Sequence, residues 1–445
     1  MQLGRFSRVG FILAAAGSAV GLGNVWKFPY MTGSNGGGAF VMVYLLTILG
    51  IGVTLFLAEV AMGRLSRKDP VSAFTDLAPS GQKAWKFAGF IIIIPVLIVS
   101  FYTIVMGWLL KYIVVSFSTL PTNSQDAGAM FGGMITSQAC DQIIYFTIAF
   151  AMTFFIVSRG LIQGIEKANI ILMPMLFVIL FGLMLYAMSL DGFGKAVSFL
   201  FVPDFSKLSA DSVLAAVGQA FFTLSLGVGT IMTYASALPE RDNLFKSSVM
   251  VAGLDTLIAL IAGIMIFSFT FHYGLKPSEG AGLIFVTLPS LFSDMGILGN
   301  ILSLLLFIAL AFAGITSAIS MIEPSIAFME NKLKYTRLKS LSIVGFVIYV
   351  LGIMALLSNV EGVKEYVTYF GTGFFDILDK LTSMILMPIG GILISIFVGF
   401  VMDKGQLKGL LVEFMGEKLF NIWLFLIRFV VPISILAIMI NKFFV

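Results

Sequence analysis

The sequence GSAVGLGNVWKFPY, residues 17–30, places three glycines in the middle of the apolar run 8–34. A helix that crosses a bilayer needs about 20 apolar residues, so this run is long enough to span a membrane. A second apolar run, residues 209–237, is interrupted in the same way by SLGVG at residues 225–229. Backbone that unwinds at membrane depth is tolerated only where it lines a cavity or is buried in protein. The two interruptions therefore predict two broken membrane helices that share one binding site.

The composition is that of a membrane protein. Of the 445 residues, 59% are hydrophobic and 11% are charged, whereas soluble domains are about a quarter charged. The single histidine, His272, and the single cysteine, Cys140, exclude an internal disulfide and a His/Cys metal cluster. We find no acid/base pair with catalytic spacing and expect no enzyme activity. The net charge is only +4 and the basic residues lie in short loops, so we expect no nucleic acid partner.

Apolar windows, broken at proline, glycine and charge, predict an all-α transmembrane protein with about eleven spanning helices. The predicted spans are residues 8–34, 38–63, 87–117, 142–158, 168–189, 209–237, 247–273, 298–329, 338–357, 375–401 and 419–441. The first run continues into polar sequence without a cleavage signal, so we interpret it as a span and not as a signal peptide.

Lysine and arginine predict the orientation. With the N-terminus inside, about 18 of the 27 basic residues fall in loops on the inner side. This asymmetry follows the positive-inside rule. We therefore expect a multi-pass protein of the cell membrane, in contact with the lipid bilayer and with a cytoplasmic N-terminus.

Each interrupted run opens a block of five spans, residues 8–189 and 209–401. Many transporters consist of two halves of inverted topology with helices broken at the bilayer midplane. We predict a 5+5 inverted repeat with helices 1 and 6 broken at the midplane: a first repeat at residues 1–190, a second at 205–402, and helix 11 at 415–445. Glycine is also common in membrane helices because it permits close packing, and this alternative stays open.

Broken helices offer ligands for both signs of charge. The N-terminus of a half-helix presents N–H groups and a positive dipole end to an anion, while freed carbonyls suit a cation. The breaks thus indicate a site for a carboxylate and an alkali ion. Hydroxyl and amide side chains of the type that binds Na⁺ lie nearby, namely Asn24, Thr223, Ser225, Thr316 and Ser317. Serine and threonine in helices commonly bond to the carbonyl four residues earlier, so each one alone is weak evidence.

Asp255 stands within the apolar run 249–271. An ionisable group at membrane depth costs at least about 2.5 kcal/mol and needs a partner. We favour a bound cation as that partner, with a structural ion pair as the alternative.

Motifs along nearly the whole chain resemble those of the neurotransmitter:sodium symporter family. They are, in chain order, residues 17–30 with NGGGAF at 35–40, AEVAMGR at 58–64, QAFFTLS at 219–225, FVTLP at 285–289 and AGITS at 313–317. The resemblance is to the bacterial amino-acid transporter branch with the leucine-transporter-type fold. It implies a location in the bacterial inner membrane.

The resemblance implies two Na⁺ sites. The first would use the Ala19 carbonyl, Asn24, Thr223, Asp255 and the carboxylate of the substrate. The second would use the carbonyls of Gly17, Val20 and Ala313 with the hydroxyls of Thr316 and Ser317.

The resemblance also implies an amino-acid substrate. Its carboxylate would meet the N–H groups of Leu22 and Gly23 and the Tyr102 hydroxyl, and its amino group would meet the carbonyls of Ala19, Phe222 and Ser225. Its side chain would lie among Ser18, Ile98, Tyr102, Phe222, Val228, Ser317 and Met321. Without the motifs, Tyr102, Phe222 and Met321 would each be interpreted as packing residues.

Departures from the family narrow the expectation. Amine-transporting members have an aspartate at the position of Gly21, so its absence favours an amino acid over a monoamine. Chloride-dependent members have a hydroxyl residue at the position of Ala259 and asparagine at that of Asp255, so we expect transport independent of chloride. Val228 is small and Met321 is adaptable, which favours an aromatic or large aliphatic side chain.

The gates differ from the family pattern as well. The outer gate, usually an Arg–Asp pair, would be Lys27 and Asp379. The inner gate lacks its usual residues, because Arg5, Ala237 and Asn331 stand at their positions. Either other contacts close the inner side, or the N-terminus is shortened.

Other residues within or beside the apolar runs have less certain roles. Gly164 and Pro174 predict either a hinge or a simple helix start in the fifth span. Glu59 and Glu323 are expected to bond to freed backbone of the broken helices or near one another, and Arg428 has no assigned role.

The sequence predicts a sodium-coupled symporter that imports a hydrophobic L-amino acid by alternating access. We expect two Na⁺ ions as cosubstrates, and a monomer or weak homodimer. A transport-inactive amino-acid sensor or a sodium channel on the same scaffold is the alternative.

Overall fold

The computed structural model describes residues 5–239, 242–275, 282 and 284–444. Within these residues the fold is all-α apart from one small hairpin of Thr368–Tyr369 and Thr372–Gly373. In this part of the chain nine helices are long and apolar enough to cross a membrane, or ten if one bent pair is counted as a single span.

We number the spans in chain order. Span 1 is the bent pair Arg8–Ala19 and Gly23–Ser34, and span 6 is the broken pair Ala210–Thr223 and Thr230–Ser236. Spans 2 to 5 are Gly38–Ser66, Lys83–Val115, Ala139–Ser158 and Leu161–Ala187. Spans 7 to 11 are Leu244–His272, Ile297–Lys332, Arg337–Leu357, Phe374–Val401 and Lys404–Asn441.

The nine long helices and the bent pair lie at ten of the eleven predicted spans, and the broken pair of span 6 lies at the position of the eleventh, with both breaks where the glycines stand. The two parts of span 1 are bent by 51°. In span 6, helical backbone stops at Thr223 and restarts at Thr230. Ser225, Gly227 and Gly229 adopt φ values of 51°, 81° and 79° between them. These left-handed residues end the first half of span 6 because an α-helix cannot continue through them.

Helices too short to cross a bilayer lie between the spans and escaped the sequence analysis. They are Pro70–Leu77, Ser124–Thr136, Phe193–Phe201 and Thr287–Ser293. Span 11 also begins earlier than predicted. It starts at Lys404, and Gly416 with φ of 76° kinks it ahead of the predicted residues 419–441.

Burial separates the spans into a centre and a periphery. In the most apolar windows of spans 3 and 8, 78% and 72% of residues are buried, against 28% in spans 4 and 5. Spans 1 and 6 add buried glycine, alanine and serine, which let helix backbones approach closely. The two breaks therefore lie in the protein interior, and the apolar faces of spans 4 and 5 are left to contact lipid.

Glu59 of span 2 holds the break in span 6. Its side chain is fully buried, and its Oε1 accepts a hydrogen bond of 2.8 Å from the Gly227 N–H. This confirms the expectation that Glu59 bonds to freed backbone. Gly227 also touches span 10, since a methyl group built on it would lie 2.5 Å from the Met387 carbonyl oxygen.

We predict that Gly227→Ala destabilises the folded protein. A side chain would add left-handed strain of about 1–3 kcal/mol and a clash with Met387. The thermal unfolding midpoint in detergent should fall by several degrees. In the control Gly182→Ala, nothing lies within 4 Å of the added methyl, and the midpoint should stay or rise. An unchanged midpoint in Gly227→Ala would contradict this account of the break.

Candidate functional site

The two breaks meet side chains of spans 3 and 8. The Leu22 N–H lies 3.4 Å from the Tyr102 hydroxyl oxygen, which accepts its hydrogen bond. The Ser317 hydroxyl lies 3.3 Å from the Gly17 carbonyl and 3.2 Å from the Val20 carbonyl. The Ser225 hydroxyl donates to the Ser18 carbonyl at 2.8 Å, which joins the two breaks directly.

One cavity at this junction brings together all eleven residues predicted to contact the substrate. They are Ser18, Ala19, Leu22, Gly23, Ile98, Tyr102, Phe222, Ser225, Val228, Ser317 and Met321. Gly21, Thr223 and Asp379 also line it. The sequence analysis missed three further lining residues, Phe101, Thr382 and Met387. Thr382 follows Asp379 by three residues on a helix, and this spacing could have identified it.

Gly21 leaves no room for a side chain. A methyl group built on it would lie 2.6 Å from the Ser317 hydroxyl oxygen and 3.2 Å from that of Tyr102. The aspartate of amine-transporting relatives would therefore clash here unless the side chains of Ser317 and Tyr102 moved.

Asp255 lies beside the cavity and is fully buried. Its Oδ1 accepts a hydrogen bond of 2.7 Å from the Asn24 amide, and both its oxygens lie 3.1 Å from the Thr223 hydroxyl. Asn24 in turn accepts from the Gly21 N–H at 3.0 Å. Among the described residues no lysine or arginine forms an ion pair with Asp255. The described residues therefore give Asp255 no basic side chain as a partner. A buried carboxylate without one needs a bound cation or a proton.

The residues predicted for the second ion site also lie together. Ser317 contacts the carbonyls of Gly17 and Val20 across the span 1 break. The Thr316 hydroxyl, by contrast, donates within its own helix to the carbonyls of Phe312 at 3.0 Å and Ala313 at 3.1 Å. The cluster is therefore rich in oxygen atoms of the kind that replace the hydration shell of an alkali ion. No group of three His, Cys, Asp or Glu that could hold a metal ion occurs in the described parts of the chain.

Lys27 contacts one of the residues that line the cavity. Its ammonium nitrogen lies 3.8 Å from the centre of the Phe222 ring, a cation–π contact. Asp379 lines the same cavity from span 10. The predicted Lys27–Asp379 ion pair stays a prediction, while the Lys27–Phe222 contact was not foreseen.

The N-terminal segment packs against spans 5 and 6. Phe6 is buried against Tyr234 with ring centres 5.5 Å apart, and its N–H donates to the Ala237 carbonyl at 3.1 Å. Ser7 donates to Glu166 of span 5 through its N–H at 3.0 Å and its hydroxyl at 2.7 Å. These contacts pack the N-terminal segment against spans 5 and 6, and how the inner side closes stays a prediction.

Glu323 and Arg428 have partners that the sequence did not indicate. Among the residues that the structure describes, Glu323 has no hydrogen bond from the freed backbone of a broken helix. It accepts from both terminal nitrogens of Arg337, at 2.6 and 3.1 Å. Arg428 donates to the Gly399 carbonyl near the end of span 10, where a helix leaves its last carbonyls unpaired.

Gly164 lies in the first turn of span 5, which begins at Leu161, and Pro174 lies further along the same span, so a simple helix start and a hinge both stay open. A methyl group built on Gly164 would lie 2.1 Å from the Ile156 carbonyl oxygen of span 4. This glycine is therefore required by close packing, and the hinge stays a prediction.

Two broken spans around a buried oxygen-rich site define a secondary transporter of the membrane. The family model described as the sodium:neurotransmitter symporter family matches residues 5–140 and 132–445. The chain belongs to this family, which is a family of sodium-dependent transporters and not of enzymes.

Relatives match over nearly the full length. The sodium-dependent transporter YhdH of Bacillus subtilis is 37% identical over 98% of this chain and 96% of its own length. A sodium-dependent transporter of Haemophilus influenzae is 33% identical over 98% and 97%. The crystal structure of MhsT in complex with L-phenylalanine superimposes with a TM-score of 0.89 at 39% identity, covering 100% of both chains.

We predict that Glu166→Ala loosens the N-terminal end of span 1. The substitution removes the carboxylate oxygen Oε1 that accepts both hydrogen bonds from Ser7, and hydrogen bonds to a charged group contribute about 1.5–3 kcal/mol. Hydrogen–deuterium exchange across residues 5–19 should become at least about tenfold faster. Asp76→Ala, which breaks an exposed pair with Lys68, is the control and should leave this exchange unchanged. Equal exchange in both variants would refute a closing role for Glu166.

Proposed function

We propose that this protein imports a hydrophobic L-amino acid together with Na⁺ by alternating access. One observation carries the proposal: the cavity between the two breaks lies directly beside the buried Asp255, Asn24 and Thr223. Thr223 lines the cavity and also bonds to Asp255, so a cation and a substrate held there would share ligands.

The backbone ends of span 1 suit a zwitterion. Leu22 and Gly23 begin its second half, where N–H groups and the positive dipole end favour a carboxylate. The Tyr102 hydroxyl stands beside them. The substrate's ammonium group would meet the carbonyls of Ala19, Phe222 and Ser225.

The remaining lining favours a large apolar side chain. Ile98, Phe101, Val228, Met321 and Met387 line the cavity, and methionine adapts to ligands of different shape. MhsT, whose structure holds L-phenylalanine, is 39% identical to this chain. The close packing around Gly21 argues against a monoamine, which would need an added carboxylate there.

Two Na⁺ ions fit the two oxygen clusters. The first would lie at the Ala19 carbonyl, Asn24, Thr223 and Asp255, and the substrate carboxylate would complete its shell. The second would lie among Gly17, Val20, Ala313, Thr316 and Ser317. Sharing a ligand couples the ions to the substrate, and such coupling is reciprocal for binding.

In alternating access, two sets of contacts would open in turn. Lys27 with Phe222 and Asp379 would open on the outer side, and the contacts of Phe6 and Ser7 on the inner side. This assignment rests on an N-terminus in the cytoplasm of a bacterial cell, as the distribution of basic residues predicts. A monomer would suffice, because one chain supplies every residue invoked.

We predict Na⁺-dependent uptake of L-phenylalanine in proteoliposomes. Asp255→Ala should abolish it, because the first sodium site would lose its only carboxylate from the protein. Asp76→Ala should transport normally, since Asp76 is 44% exposed and far along the chain from the breaks. Binding without counterflow would instead indicate a sensor, and a sodium current without substrate would indicate a channel.

Gly21→Ala should weaken binding of L-phenylalanine by about tenfold or more, equivalent to about 1.4 kcal/mol. The added methyl would displace Ser317 and Tyr102, and both are proposed ligands. Equilibrium binding of the radiolabelled amino acid at saturating Na⁺ measures this, with Gly182→Ala as the control. Unchanged affinity would rule out the proposed substrate position.

Uptake should not change when gluconate replaces chloride at constant Na⁺. The fixed carboxylate of Asp255 stands beside the first ion site, so no mobile anion is needed to balance the charge there. A loss of uptake in gluconate would contradict this part of the proposal.

A further inference from the structure

Asn169 of span 5 is a fully buried amide with one unsatisfied end. Its Nδ2 donates to the Ile165 carbonyl at 2.8 Å, which fixes the orientation of the side chain. Its Oδ1 has no hydrogen-bond partner among the described residues. Leaving a buried acceptor unsatisfied costs about 1–3 kcal/mol, so this oxygen calls for a ligand.

The unsatisfied oxygen faces the break in span 1. A methyl group built on Gly17 would lie 1.9 Å from Asn169 Oδ1 and 3.2 Å from the Thr316 Cβ. The carboxamide oxygen therefore lies against Gly17, on the side that faces Thr316 of span 8. Gly17 is also one of the two residues, with Val20, whose carbonyls lie next to the Ser317 hydroxyl.

The groups that meet around Gly17 contribute oxygen atoms: the backbone carbonyls of Gly17 and Val20, the hydroxyls of Thr316 and Ser317, and the Asn169 carboxamide. The hydroxyl groups of Thr316 and Ser317 donate to backbone carbonyls. Neither hydroxyl therefore donates a hydrogen bond to Asn169. The Asn169 oxygen is thus left without a donor. A small cation bound among these oxygens would stabilise it. An apolar residue at position 169 would avoid the cost of an unsatisfied buried acceptor.

We propose that the Asn169 carboxamide oxygen is a ligand of the second sodium ion, supplied by span 5. This inference rests on the proposed function, because it assumes that Na⁺ binds between spans 1 and 8. It deepens that function by adding a third helix to the site. Sodium bound there would tie span 5 to spans 1 and 8, so its arrival would stabilise all three helices together.

The test is a Na⁺ titration of the purified full chain in detergent, followed by the thermal unfolding midpoint. Choline chloride keeps the ionic strength constant, and the readout needs no transport. We expect Asn169→Leu to raise the Na⁺ concentration of half-maximal stabilisation about tenfold. In choline alone its midpoint should equal or exceed that of the wild type, because an unsatisfied acceptor has been removed.

Asn169→Asp is the second variant, since it keeps an acceptor oxygen at the same place and adds a negative charge. It should need no more Na⁺ than the wild type. Gln142→Leu is the matched control: it removes another buried amide, one that bonds to Trp108 and Ile135 in the periphery. It should lower the midpoint in both salts and leave the Na⁺ dependence unchanged.

The outcomes separate two failures. An unaltered Na⁺ dependence in Asn169→Leu would overturn the assignment, because an oxygen satisfied by a buried water or by the Gly17 C–H predicts that result. If Asn169→Leu does not fold, a weaker Na⁺ response in Asn169→Asp than in the wild type overturns it. If the wild type itself shows no stabilisation by Na⁺, the proposed function fails, whatever Asn169 does.

Discussion

Backbone hydrogen bonding inside an apolar environment is the constraint on which the rest of this structure depends. Two helices are interrupted in the protein interior, and each interruption frees N–H and C=O groups that cannot reach water. The protein satisfies several of them with side chains from other spans. Glu59 accepts from Gly227 N–H, Gln219 donates to the Gly23 carbonyl, and Ser225 donates to the Ser18 carbonyl. The freed N–H and C=O groups that these side chains do not bond to are available to bind ligands.

The groups left over explain how a chain with one histidine and few charges can bind both an ion and a zwitterion. Helix ends carry partial charges of both signs, and hydroxyl and carboxamide oxygens add to the negative side. Asp255 contributes a carboxyl group beside the predicted ion ligands, and its partners are the neutral Asn24 and Thr223. The same composition that excludes a His/Cys metal cluster therefore suits a site for an alkali ion.

The sequence predicted the spans, both breaks and eleven of the seventeen residues that line the cavity as substrate contacts, because glycine interruptions and family motifs are local signals. It missed what depends on how distant elements cross. Glu323 meets Arg337 only because span 9 begins beside the end of span 8. No regular spacing in the sequence predicts the contact of Phe6 with Tyr234 or the hydrogen bond of Ser7 to Glu166. Phe101 and Met387 enter the cavity for the same reason, and short helices such as Phe193–Phe201 fall below the length of a span.

Reciprocal binding of Na⁺ and amino acid tests the central claim most directly. If the ion and the substrate share ligands at the breaks, Na⁺ must raise the affinity for L-phenylalanine by the same factor by which L-phenylalanine raises the affinity for Na⁺. Paired titrations of the purified protein, with radiolabelled phenylalanine and with ²²Na⁺, measure the two factors. The account predicts equal factors well above one. An affinity for phenylalanine that does not depend on Na⁺ would contradict it.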